Sequence, residues 1–249
     1  TFFGYAYFLR ATFTGNAIFW DATFTRDAYF GRARFENGLR FQGRGFPQDK
    51  GSGVVNFTNV TLERPERVYF QDVDLSRASF LGTDLRQVHF INATWAKRRE
   101  RRWRPGRPLN VVYDDPRVSK GKDAKEADYH QAAELYRQLR VNLEENRQHI
   151  EAGDFYVGQM DMRRHDTHLG WLYRGLLTVY RWAALYGESY WRPLILYFVL
   201  AGLLFTPLYL MGGFRGATAA DVHRPAWAGT GALWDGAFWG DYAQAAYLA

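Results

Sequence analysis

Cysteine is absent from this chain, which excludes disulfides and thiolate-ligated metals and allows, without requiring, a reducing compartment. Also missing is the basic, apolar and small-residue succession of a signal peptide. The chain starts at Thr1 without a Met, already within repeat-like residues, so the expectation is a fragment whose true N-terminus lies upstream. It has no GxxxxGK[ST] loop, no Ser/His/Asp grouping and no paired carboxylates, so neither an enzyme nor a cofactor is expected. Of the histidines, 89, 130, 149 and 223 are scattered. Only His165, Asp166 and His168, with Asp161 nearby, cluster metal-ligating types. Their spacing could put two imidazoles on one helical face. No third ligand is fixed, however, and the simpler reading is a polar bridge, so no metal is expected.

What the chain does have is aromatic residues, 18% of its 249 positions, and strict five-residue order over 68–95. A large apolar residue recurs there at Phe70, Leu75, Phe80, Leu85, Phe90 and Trp95, and a small or β-branched residue lies two places before each. Neither a helix nor a flat strand keeps a five-residue stripe on one face for six cycles. A coil with corners does, each unit forming one short side, with large and small residues pointing inward and stacking between coils. Upstream, the anchors Phe8, Phe13, Phe19, Phe24, Phe30 and Phe35 alternate spacings of five and six, each with Ala two places before it. Gly15, Asn16 and Gly31 suit the corners. A rival reading as two amphipathic helices conflicts with the Thr, Phe and Tyr content. Residues 38–53, GLRFQGRGFPQDKGSG, lose the register and read as a loop interrupting the coil. The register resumes at Phe57 and Leu62.

This pattern resembles the pentapeptide-repeat family, whose unit is roughly A-(D/N)-(L/F)-x-x. The resemblance covers about the first 95 residues and implies a mainly β solenoid, a right-handed quadrilateral β-helix with four units per coil. Some family members resemble duplex DNA through a strongly acidic face. Here 11 Lys/Arg stand against 9 Asp/Glu over 1–95, which speaks against DNA mimicry.

After the repeats, 96–122 reads as a basic linker carrying Lys97, Arg98, Arg99, Arg101, Arg102, Arg104 and Arg107. It suits anionic lipid headgroups or an acidic partner better than nucleic acid. Residues 123–168 read as an αα-hairpin. Its first helix carries a stripe of Ala132, Leu135, Tyr136, Leu139 and Leu143 with Asn142 lying off it. Its second helix, from about 152 to 164, carries Phe155, Tyr156, Met160 and Met162. The ELYRQLR…NRQHIEAGDFYVGQMDMRR stretch is similar to one in membrane-attached bacterial pentapeptide-repeat proteins. Residues 169–190 suit an amphipathic helix lying in a membrane interface.

Between Arg192 and Arg215 lie 22 uncharged residues. As helix they would span about 33 Å against a hydrocarbon core of about 30 Å, which predicts a transmembrane helix over 192–214. Arginines concentrate on its N-terminal side, placing the repeats in the cytoplasm at a bacterial inner membrane. Residues 215–249 read as an aromatic extracytoplasmic tail or the start of a second membrane segment. The function expected is a non-enzymatic membrane-anchored scaffold that presents its repeats to other membrane-complex proteins, or self-associates, with no small-molecule substrate. The alternative is the cytoplasmic regulatory module of a pentapeptide-repeat ion channel whose pore lies beyond Ala249.

Overall fold

A computed structural model describes residues 1–43, 53–98, 108–117, 129–205, 214–215 and 222–223. The chain falls into two compact units, residues 1–178 and 179–249.

The first unit begins with short parallel strands stacked coil upon coil. One sheet contains β1 (Ala6–Tyr7), β4 (Ala28–Tyr29), β7 (Val55–Asn56) and β10 (Ala78–Ser79). A second contains β2 (Thr12–Phe13), β5 (Arg34–Phe35) and β8 (Thr61–Leu62). The third contains β3 (Ala17–Trp20), β6 (Leu39–Gln42), β9 (Val68–Gln71) and β11 (His89–Ile91). Isolated parallel bridges, Phe2 to Phe24 and Asp74 to Thr94, mark a fourth row.

Coil length follows from the repeat spacing. Neighbouring coils are offset by 22 residues where the anchors alternate five and six, as between Asn16 and Gly38. The offset falls to 20 where the spacing is a uniform five, as between Asp72 and Asn92. It is 27 between Asp27 and Val54, across the interruption.

The anchors stack in columns. Phe8, Phe30, Phe57 and Phe80 lie one above another with ring centroids 4.8, 5.0 and 5.3 Å apart. Phe19, Phe41, Phe70 and Phe90 do the same at 4.5, 5.6 and 5.6 Å. Phe13 stacks on Phe35 and Phe2 on Phe24. Rings from adjacent columns meet edge to face, as Phe30 meets Phe41. Offset-stacked and edge-to-face arrangements are those that favour the ring quadrupole. Phe24, Phe30, Phe35, Phe57, Phe70, Leu75, Phe80, Leu85, Phe90 and Trp95 are buried, whereas Phe8, Phe13, Phe19 and Leu62 are partly so.

Three local expectations change. Residues 38–43 are part of the coil rather than a loop: Phe41 sits six places after Phe35 and continues the alternation, with Leu39 filling the place that Ala occupies elsewhere. The rest of the expected interruption, 44–52, lies outside the described residues. The left-handed corners fall at Arg10, Asp21, Arg32, Gly43, Asn59, Asp72, Gly82 and Asn92 and not at Gly15, Asn16 or Gly31. At Gly82 a Cβ would meet Asn59 Oδ1 of the coil before, so close stacking as well as positive φ requires glycine there. The stretch read as a basic linker supplies structure. β12 (Ala96–Arg98) pairs antiparallel with β13 (Leu109–Val111).

The helical hairpin follows as α1 (Tyr129–Glu145) and α2 (His149–His165). Ala132, Leu135, Tyr136, Leu139 and Leu143 form the buried stripe, joined by Asn142. That asparagine lies inside and not off the stripe. α2 is buried on more than one face, through Phe155 and Met162 but also Asp154, Gln159 and Asp161. Tyr156 and Met160 are half-buried.

α3 (Trp171–Ala184) leads to a tight turn at Leu185–Gly187, where three successive residues have positive φ. In the second unit that turn is fixed by Tyr186 packing edge-on to Tyr180 and by Arg192 donating to the Arg181 carbonyl. α4 (Trp191–Leu200) continues as a π-turn over Ala201–Phe205. Among the described residues no helix is long and apolar enough to cross a membrane. The expected crossing helix, 192–214, is helical as far as Phe205. Residues 206–213 lie outside the description, and Phe214–Arg215 pairs antiparallel with Val222–His223. The remaining tail is likewise outside it.

Candidate interaction surfaces of the solenoid

A β-solenoid presents two kinds of surface: its walls, and the unpaired backbone of its terminal coils. Bare strand edges invite pairing with other chains. At the C-terminal end this chain covers them with its own side chains. The Asp114 carboxylate accepts from the Phe80 amide at 2.7 Å and from the Ser79 hydroxyl at 2.6 Å, in the place a further strand would take beside β10. Burial pushes its pKa above the ordinary carboxylate value, against those two hydrogen bonds. At the next corner the Asn142 side-chain amide donates to the carbonyls of Leu85, Arg86 and Val88 at 2.8, 3.0 and 2.7 Å. Its two hydrogens thus serve three acceptors. Gln138 Oε1 accepts from the Leu85 amide. Trp95, the last anchor, meets Phe155 edge to face at 5.2 Å. The helical hairpin is thereby the lid of the aromatic core.

A buried ion cluster binds the β12–β13 hairpin to that lid. Asp115 and Asp161 have fully buried side chains and lie between Arg98 and Arg117, whose side chains are mostly buried. Arg117 grips Asp115 through two nitrogens and reaches Asp161 with a third contact. The Tyr136 hydroxyl donates to Asp115 at 2.9 Å and accepts from the Val112 amide. Burial opposes the Asp115 charge, but Arg117 and the tyrosine outweigh it and hold the carboxyl below its ordinary pKa. Arg117 is correspondingly raised despite its burial, and Tyr136 lies well above the usual phenol value, chiefly through burial. Asp154 on α2 accepts from the Asn110 amide of β13.

Of the seven basic residues singled out in the sequence, Lys97 is exposed and Arg98 belongs to this internal cluster, where it is unavailable to lipid. Arg99, Arg101, Arg102, Arg104 and Arg107 lie outside the described residues. The metal-type group separates. Asp161 is committed to the guanidinium groups of Arg98 and Arg117, with Arg164 at 3.8 Å, and Asp166 accepts from the His168 amide and faces His130 at 3.6 Å. His165 stacks on Tyr129. Among the described residues no three ligand-type side chains are placed to hold a metal ion.

The walls differ from one another. On the β1–β4–β7–β10 wall, Tyr7 stacks on Tyr29, whose hydroxyl donates to Asp27. That bond, helped by desolvation, pushes the Tyr29 pKa up to about 12. The β2–β5–β8 wall carries Arg34 paired with Glu63. The β3–β6–β9–β11 wall carries two outward columns. Ile18, Arg40, Tyr69 and His89 form one, and Trp20, Gln42, Gln71 and Ile91 the other. Arg40 lies over the Tyr69 ring at 5.0 Å, and Tyr69 stacks on His89. Trp20 is 70% exposed. Trp20 and Tyr69 therefore share a wall, whereas Tyr29 faces another way.

At the opposite end of the solenoid, β1, β2 and β3 are the outermost strands of their sheets among the described residues. After the hairpin in sequence, α3 and α4 carry exposed apolar side chains. Trp171, Leu172 and Leu176 project from the start of α3. No residue of α4 is buried, and Ile195, Tyr197 and Phe198 are each more than 60% exposed.

Comparison with known proteins identifies the repeats. Residues 67–94 match the family described as Pentapeptide repeats (8 copies). No curated protein matches the chain, and no solved structure does.

Proposed function

We propose that this pentapeptide-repeat chain is a non-enzymatic scaffold. It offers the walls of a right-handed, four-sided prism to protein partners and is held at a bacterial inner membrane by residues from 171 onward, with the repeats in the cytoplasm. The observation that carries the reading is the contrast between the two halves of the molecule. Among the described residues the anchors of the repeats pack into one core, and the C-terminal end is capped by the chain itself, so the repeats offer a preformed surface. The run from Trp191 to Phe205 buries nothing, although its mean composition is strongly apolar. Leaving each such side chain in water forgoes about 1.5–3 kcal/mol of burial, so an apolar environment must cover this run. A hydrocarbon phase supplies that, with Tyr190 and Trp191 at its start lying at headgroup level. Completion of a crossing helix through 206–213 belongs to this proposal.

Alkaline carbonate extraction tests the tether. The whole chain should stay in the membrane pellet while residues 1–168 alone are soluble. Release of the whole chain into the supernatant overturns the membrane reading. For orientation, proteolysis of right-side-out vesicles should spare the repeats. Among the described residues no feature favours the ion-channel module over the scaffold.

A further inference from the structure

The β3–β6–β9–β11 wall is electrically divided along its strands. At the edge where the strands begin stand Arg40 and Arg67; at the edge where they end stand Asp21 and Asp72. All four are exposed, and among the described residues none has an opposite charge within ion-pair distance; Asp72 accepts only a neutral hydrogen bond, from Asn92. Glu66 is the one acid on the basic side, and its carbonyl is tied to the His89 ring. Between the two edges lie Ile18 at 64% exposure, Trp20 and Ile91, with Tyr69. A partner for this face needs an apolar and aromatic centre flanked by acid on one side and base on the other.

The same wall turned round meets that requirement. We infer that two copies of the chain dock through this wall, about a two-fold axis parallel to the solenoid axis. This operation keeps each coil level with its counterpart and reverses the strand direction. It sets Arg67 of each copy opposite Asp72 of the other and Arg40 between Asp21 and Asp72. Ile18 meets Trp20, Tyr69 meets Gln71, and His89 meets Ile91. A two-fold axis along the strands would instead face arginine with arginine, and like charges so placed are repulsive. Four strands about 4.8 Å apart and four residues of about 3.3 Å give a face of roughly 15 by 13 Å. That is well below the ~800 Å² per partner of a stable complex, so the contact belongs to the weak, transient class and is best read by trapping. The inference deepens the docking reading above by naming a second copy as one partner, and does not depend on the membrane tether.

The absence of cysteine makes the test clean. Whole-chain His89→Cys and Ile91→Cys variants, carrying tags of different mass, are mixed in detergent and mildly oxidised. The mixed disulfide should exceed both like pairs several-fold. Random collision would give the mixed and like pairs in a 2:1:1 ratio, and that ratio, or no trapped pair at all, overturns the inference. Adding Arg67→Glu to both variants should cut the mixed disulfide at least several-fold, and adding Asp72→Lys as well should restore it. An unchanged yield with Arg67→Glu also overturns it. If a different protein co-purifies while no pair is trapped, this inference fails and the docking reading stands.

Discussion

Replacing Asn142 by leucine should unseal the solenoid. The asparagine is 1% exposed, and its amide is shared by three backbone carbonyls of the last coil. Leucine matches its volume but donates nothing. An acceptor left unpaired in a buried place costs about 1–3 kcal/mol, which sets the scale for each carbonyl. The three are not equal. The Leu85 carbonyl still accepts from the Val88 amide, and that at Arg86 is only part-buried, so the full penalty falls mainly at Val88. The expected loss is therefore about 2–4 kcal/mol. Asn142→Asp should cost more, because it aims a carboxylate at the same three oxygens. Urea unfolding of residues 1–178, followed by circular dichroism, measures the difference as a shift in midpoint at unchanged slope. An exposed control, Glu145→Gln, should stay within about 0.5 kcal/mol. If Asn142→Leu matches that control, the helical hairpin is not the seal of the core.

The other substitutions probe the same architecture. Gly158→Ala would place a Cβ 2.3 Å from the ring of Tyr136, which is pinned by its hydroxyl contacts. Overpacking of about 1–3 kcal/mol should outweigh the gain of about 1 kcal/mol in helix propensity, and a stabilised variant would contradict this packing. Phe80→Ala removes a ring stacked on Phe57 and edge-on to Phe70 and should cost about 3–5 kcal/mol in the same unfolding assay. A loss below 1 kcal/mol would deny the column its role. Asp115 has its carboxyl pKa lowered in the fold, so its stabilising contribution is present above the unfolded value of about 4 and lost as pH falls through the folded one. Asp115→Asn should be less stable at pH 7 by about 3 kcal/mol and should lose less on acidification than the parent. Parallel pH profiles for the two would refute the coupling to Arg117.

How far the fold could be read from the sequence depended on whether a position spoke through hydrophobic pattern. The ladder of large anchors with small residues two places before them specifies an inward stripe and hence the coil. The alternation of five and six sets the 22-residue offset seen between Asn16 and Gly38. Phe41 escaped that reading because Leu39 replaced the usual alanine inside a glycine-rich stretch. The stripe of Leu135, Leu139 and Leu143 is legible because one apolar face meets the core, but α2 is buried on several faces and shows no single stripe. The lid was illegible for a different reason. Asn142, Asp114, Asp154 and Asp161 are polar side chains inside, and each is there because backbone groups or arginines far along the chain require a partner. Only three-dimensional placement reveals such pairs. The same holds for Arg98, whose surroundings in sequence are a run of positive charge and whose partners are buried carboxylates.

Mass measurement after gentle purification in detergent tests most directly the claim that the repeats exist to be docked upon. The chain alone weighs 28.9 kDa. The scaffold account predicts a species above that mass, holding a different protein, and its loss in favour of the monomer as salt is raised; the weaker contact between copies is read by trapping instead. A lone monomer at low salt, with nothing co-purifying, would contradict it.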